Sequence, residues 1–204
     1  MAYSRTFSTL KTELKSHLED DSTEYDSELP SIIARAQDRV QLDLNLNIFY
    51  TTQTGTILTS SSSISRPNTA ITVKYVHLPN DNVFLEERDL AYCKAYTGTG
   101  TPKYFNDDDD DTLFIAPSSD ADRNYDLRFM ERLTALSDSN VSNWISINAG
   151  DLLFQASVVE SESFLKDAAK KDDAEKDYQK LLPTVLMRVH HMAAAEYALP
   201  GKGR

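Results

Sequence analysis

Apolar positions recur with a helical period at both ends of this chain and with a strand-like period in between. Phe7, Leu10, Leu14 and Leu18 stand three and four residues apart, which predicts a first helix over about 4–18. Leu29, Ile32, Ile33, Ala36 and Val40 make the buried face of a second helix over about 28–45, with Pro30 in its first turn, where a missing N–H does no harm. Six of the ten residues from Glu19 to Glu28 are acidic, which reads as a solvated connector. Asp26 and Glu28 would complement the positive end of the helix that follows.

After Asn47 the chain becomes rich in threonine and serine and nearly uncharged. Ile48-Phe49-Tyr50 and Thr56-Ile57-Leu58 are strand material around Gly55, and Ser60, Ser61, Ser62 and Ser63 read as a mobile tip. Ala70 to Val76 is the clearest strand, closed by Leu78-Pro79-Asn80-Asp81. Val83 to Tyr96 reads as a short strand and a helical turn, and Thr97 to Pro102 as a loop leading into Lys103-Tyr104-Phe105. Thr112 to Ala116 and the alternating Tyr125-Asp126-Leu127-Arg128-Phe129 read as a β-hairpin joined by the polar turn 118–122. The total is five or six mostly antiparallel strands.

Helical spacing returns with Leu152, Leu153, Ala156, Val159 and Phe164, Asp151 standing at the helix start. Lys170 to Asp173 is a charged joint. Tyr178, Leu181, Leu182, Val185, Leu186, Val189 and Met192 then form one stripe. Pro183 falls inside it, where proline removes a hydrogen bond at a cost of about 3 kcal/mol. Because the stripe stays in phase, one kinked helix is expected.

Two helical ends around a sheet-forming middle must share a core. The expected fold is α+β: an antiparallel helical bundle from residues 1–47 and 145–204, a mostly antiparallel β-domain inserted at 48–144, and a flexible tail at 198–204.

The net charge of −11 changes the choice of partner, since gripping nucleic acid needs a clustered basic face. The exception is the end of the chain, where Lys180, Arg188, Lys202 and Arg204 face only Glu196; such a basic end suits an acidic neighbour. Cys93 is the sole cysteine, which excludes an internal disulfide and a multi-thiolate zinc site. The first residues lack the apolar core of a secretory signal, and no run approaches the roughly 18 apolar residues of a membrane span. Synthesis in a cytoplasm, and no membrane partner, is the expectation.

Chemistry is sparse. Asp107, Asp108, Asp109, Asp110 and Asp111 lack the spacing, glycine and terminal glutamate of a calcium loop, and read as a solvated turn between Phe105 and Leu113. His190 and His191 point about 100° apart on a helix and cannot readily share a metal. Gly98 to Lys103 fails the phosphate-loop pattern, and no nucleophile elbow is present. The ten tyrosines and Trp144 are spread over helices and strands without basic neighbours, which favours packing over base stacking. No catalytic residue, cofactor or metal is expected.

Several ordered pieces resemble one family. They are Leu29-Pro30 through Val40, Val76-His77-Leu78-Pro79-Asn80-Asp81, Gly100-Thr101-Pro102-Lys103-Tyr104-Phe105, Leu113-Phe114-Ile115-Ala116-Pro117, Tyr125-Asp126-Leu127, and Leu136-Ser137 through Asn143-Trp144 to Asp151-Leu152-Leu153. In order and spacing they are similar to the head-to-tail adaptors of tailed phages, including the tail tubular proteins of short-tailed phages. The resemblance implies a virion-neck protein made in the host cytoplasm, and a ring of about twelve copies. That ring would bind the portal protein, carry the tail or nozzle protein, and leave an axial channel through which DNA passes without specific binding. It implies portal docking by the C-terminal helix and tail, with Arg188, Leu199, Pro200, Lys202 and Arg204 as candidates. Ser60 to Ser63 would face the tail, and Asp107 to Asp111 would line the channel or an outer surface. The competing readings are a tail-associated cell-wall hydrolase and a receptor- or sugar-binding β-module.

Overall fold

The computed structural model describes the backbone of residues 4–197 and side chains as far as Val189. The chain divides into two compact units, 1–45 with 133–204, and 46–132.

In the first unit, α1 (Phe7–Leu18) is capped by Thr6, whose side chain accepts from the Thr9 N–H. Helix α2 (Thr23–Leu44) starts five residues earlier than its apolar stripe suggests. Ser22 caps it, Glu24 and Asp26 occupy its first turn, and Tyr25 is fully buried. Half of the acidic connector is therefore helix, and Pro30 lies in the second turn. Helix α4 (Trp144–Asn148) opens on a capping box between Asn143 and Ser146. Helix α5 (Gly150–Leu165) packs against α1, α2, α4 and α6 (Ala168–Tyr197). Being surrounded, it buries apolar, small and polar residues alike: Leu152, Leu153, Ala156, Val159, Ser157, Ser161 and Glu162. The terminal blocks thus share one core, and the α+β expectation of helical ends flanking a β-rich middle holds.

The break between α5 and α6 is Lys166-Asp167, with Lys166 left-handed at φ 60°; Lys170 to Asp173 is the start of α6, not a joint. Pro183 does lie within one continuous helix. Residues 133–143, which the sequence reading places with the strands, belong to the helical unit. The buried Gln37 side chain donates to the carbonyls of Leu133 and Thr134 at 3.1 and 3.3 Å, and Gln41 accepts from the Leu133 N–H at 3.1 Å.

The second unit holds ten strands, not five or six. One sheet runs β1 (Tyr50–Ile57), β10 (Arg123–Glu131), β3 (Ala70–Leu78), β4 (Val83–Phe84); another runs β2 (Ser63–Ser65), β8 (Thr112–Ala116), β7 (Tyr104–Asn106), β5 (Glu86–Glu87). The pair β6 (Thr99–Gly100) and β9 (Ser118–Ser119) is parallel, as is β5 with β7; the remaining pairs are antiparallel. Helix α3 (Leu90–Ala95) follows β5. Val76, Leu78, Leu127 and Phe129 of the first sheet and Ile64, Phe105, Leu113 and Ile115 of the second meet in one core.

The expected hairpin of β8 and β10 is absent. β8 pairs with β7 and β2, while β10 lies between β1 and β3 in the other sheet. The polar segment after Pro117 pairs with β6 and carries the chain from sheet to sheet. Gly55 sits within β1 opposite Tyr125, and a Cβ there would come within 2.6 Å of the Tyr125 ring. The strand needs a residue without a side chain at that point.

Candidate functional site

Ser60 to Ser63 are not a free tip. Ser60 takes a left-handed turn at φ 67°, its N–H donates to the Ser119 carbonyl at 2.7 Å, and the Ser119 N–H donates to Ser61 at 3.0 Å. The Ile115 N–H donates to the Ser62 carbonyl at 2.8 Å, and Ser63 opens β2. Serine suits such a turn because its hydroxyl bonds the local backbone: Ser61 Oγ donates to the Ser63 carbonyl at 2.8 Å.

Asp107 to Asp111 form the turn between β7 and β8, and Asp108 to Asp111 are exposed. Asp107, its side chain 14% exposed, is instead held by an arginine. Arg66 Nε donates to its Oδ1 at 2.6 Å, and the rest of the guanidinium donates to the carbonyls of Ala70 at 2.9 Å and Ile71 at 3.3 Å. The Arg66 N–H closes the loop on the Asp111 carbonyl at 2.9 Å. This clamp escaped the sequence reading because its partners are 41 positions apart. The serine and aspartate turns lie at opposite ends of the β2–β8 ladder, whose register pairs Ser63 with Phe114 and Ser65 with Thr112. No group of three or more metal-ligating side chains forms among the described residues.

The tyrosines are less scattered than their positions in sequence suggest. Tyr92 on α3 and Tyr96 just past its end meet the Tyr104 ring edge-on at centroid distances of 5.2 and 5.3 Å. Basic neighbours exist as well: Arg88 lies 5.4 Å over Tyr92 and Lys74 lies 4.7 Å over Tyr50. Phe84, 60% exposed on the short β4, stacks on His77 at 4.2 Å and meets Tyr75 edge-on. Phe84 and Tyr104 line one open cleft of about 540 Å³, with Asp81, Glu86 and Lys103 at its edge. An aromatic surface of this kind is the usual mark of a protein contact.

In the helical unit Arg188 is committed locally. Its Nη2 donates to the carbonyl of Asn148, the last residue of α4, at 2.8 Å. Leu199, Pro200, Lys202 and Arg204 lie outside the described residues. Tyr178 is buried and donates to Asp43 at 2.5 Å beneath the Arg39 guanidinium, which also pairs with Glu175 at 2.6 Å. Burial first, then the bond to Asp43, raise the Tyr178 phenol far above its ordinary pKa. Cys93 is buried, and desolvation raises its thiol, which leaves it little thiolate. No described helix is long and apolar enough to cross a membrane.

Most of the polar contacts described above hold turns, helix ends and strands, and exposed aromatic rings and aspartates stand beside them. Residues 5–200 match the family model described as SU10 adaptor protein, and the chain belongs to that family of phage head-to-tail adaptors. No curated protein matches the chain.

Proposed function

We propose that this protein works at the virion neck as a ring of about twelve copies, seated on the portal protein and carrying the tail or nozzle protein, with an axial channel for DNA. The structural adaptor role follows from the family. The observation that supports this reading is that the family match runs over residues 5–200, helical unit and sheet insert together. Repeated head-to-tail contacts between such blocks close into a ring when the rotation per copy divides a full turn. A net charge of −11 suits a wall past which DNA slides without sticking.

The portal contact is assigned to the basic end, Leu199, Pro200, Lys202 and Arg204. Arg188 fixes α6 to α4 and so positions that end. The serine and aspartate turns are assigned to the tail-facing and channel or outer surfaces. The test is electron microscopy of the protein mixed with its portal rings. An added ring of protein density is the expected result, and portal rings left bare at saturating protein would overturn the reading. Truncation after Tyr197 should abolish that density while leaving the circular dichroism spectrum unchanged.

A further inference from the structure

Helices α1, α5 and α6 enclose a cleft of about 350 Å³. Gln155, Val158 and Glu162 face it from α5 at a three- and four-residue spacing. His17 and Glu19 reach it from the end of α1, and Lys170, Asp173 and Asp177 from α6. Two acceptors in it are unpaired among the described residues: Glu162 Oε2 and Gln155 Oε1 are both buried without a hydrogen-bond partner. Glu162 is only 4% exposed. A carboxylate oxygen left in this state destabilises the fold unless a donor arrives. The surroundings favour a cation. Among the lining side chains Glu19, Asp173 and Asp177 outnumber Lys170 and His17, and the carbonyl end of α1 adds partial negative charge. Asp173 and Asp177 hold Lys176 and Lys180 at 2.8 Å along the outside of α6, and Lys170 leans on Asp167 at 3.7 Å. None of these cations satisfies Glu162.

We propose that this cleft is a socket for an arginine side chain presented by a partner protein. Guanidinium carries several donors in one plane and is more weakly hydrated than ammonium, so it enters a half-enclosed site and meets two separated acceptors better than lysine does. The protein source rests on the adaptor reading above; the socket itself does not.

The test is a titration of the intact protein with acetyl-Gly-Arg-Gly-amide, followed by backbone amide NMR shifts. The lysine and citrulline analogues and spermidine serve as comparisons. The arginine peptide should shift amides of residues 155–162 saturably, citrulline should not, and Glu162→Gln should weaken binding at least tenfold. Binding should also fade as acid protonates Glu162, because proton and guanidinium compete for one oxygen. If Glu162→Gln does not fold, the exposed pair Asp173→Asn with Asp177→Asn is used, and a two- to fivefold weakening is expected. Shifts that are absent, spread evenly over the acidic surface, or indifferent to these substitutions would overturn the proposal. So would spermidine binding more tightly than the arginine peptide. Since no portal or ring is needed, failure here and failure of the ring assembly are separate results.

Discussion

Arg66 in the β unit and Glu162 in the helical unit are both charged side chains withdrawn from water, yet their surroundings differ in kind. The Arg66 side chain, 11% exposed, has a carboxylate and two backbone carbonyls as partners. Glu162, 4% exposed, has an oxygen with no hydrogen-bond partner among the described residues. The first charge completes the structure that buries it. The second is held by packing, because α5 is enclosed by its neighbours and has no fully wet face for an acid. A satisfied buried charge is a fastening, and an unsatisfied one marks a place where the fold has stopped short of optimal stability.

The comparison breaks most sharply at Arg66. Arg66→Ala strands Asp107 and two carbonyls, and should cost about 3 kcal/mol of β-unit stability. Urea unfolding gives the total, and hydrogen exchange at β2 and β8 amides locates the loss. A cost under about 0.5 kcal/mol, the level of an exposed ion pair, would mean the clamp is ornamental. Gly55→Ala attacks the same unit through space rather than charge. The added methyl must displace the buried Tyr125 ring, 2.6 Å away, and overpacking of this sort costs about 2 kcal/mol. Restoration by Tyr125→Leu in the Gly55→Ala background would identify the ring as the cause.

The helical unit has its own satisfied network, which sharpens the contrast from within. Tyr178→Phe deletes the hydroxyl that donates to Asp43, leaving the ring under Arg39 in place. A hydrogen bond to a charged acceptor that keeps partial access to water should be worth about 1.5 kcal/mol. Thermal unfolding followed by Trp144 fluorescence reads it, since Trp144 is the only tryptophan and lies in α4. No change in midpoint would show that Asp43 is equally served by Arg39, 3.7 Å away.

How much of this was visible beforehand follows the same division. The helix stripes were legible because one helix contributes many residues to one face: Leu29, Ile32, Ile33, Ala36 and Val40 are all buried. The start of α2 was hidden because its first turn is acidic, although Ser22 followed by Glu24 and Asp26 is a helix-start signal in its own right. The α5–α6 break carries no local signal, because a lysine, not a glycine, takes the left-handed position. In the β unit, two-residue strands such as β4, β5, β6 and β9 carry no period to detect. Adjacency along the chain predicts a β8–β10 hairpin, and adjacency fails where a short segment crosses between sheets. The family was readable from ordered motifs, while Arg66 with Asp107 and the cleft around Glu162 depend on distant pieces of chain that no local pattern joins.

The smallest expected effect tests the unsatisfied side of the comparison, and its sign matters more than its size. Desolvation raises the Glu162 carboxyl above its ordinary range, with Asp167 adding to the shift and Lys170 and His17 opposing it. Folding then binds a proton more tightly than the unfolded chain does. Between the unfolded and folded pKa values stability therefore falls as pH rises, and the loss is complete above the folded value. Glu162→Gln removes the titration but keeps the shape, so it should leave stability nearly unchanged at pH 4 and raise the melting midpoint at pH 8. This is the reverse of what a paired carboxylate does, such as Glu175 beside Arg39, whose pKa is lowered. A Glu162→Gln variant less stable than the native protein at pH 8 would show that the carboxylate already has a partner, and the distinction between the two buried charges would fail.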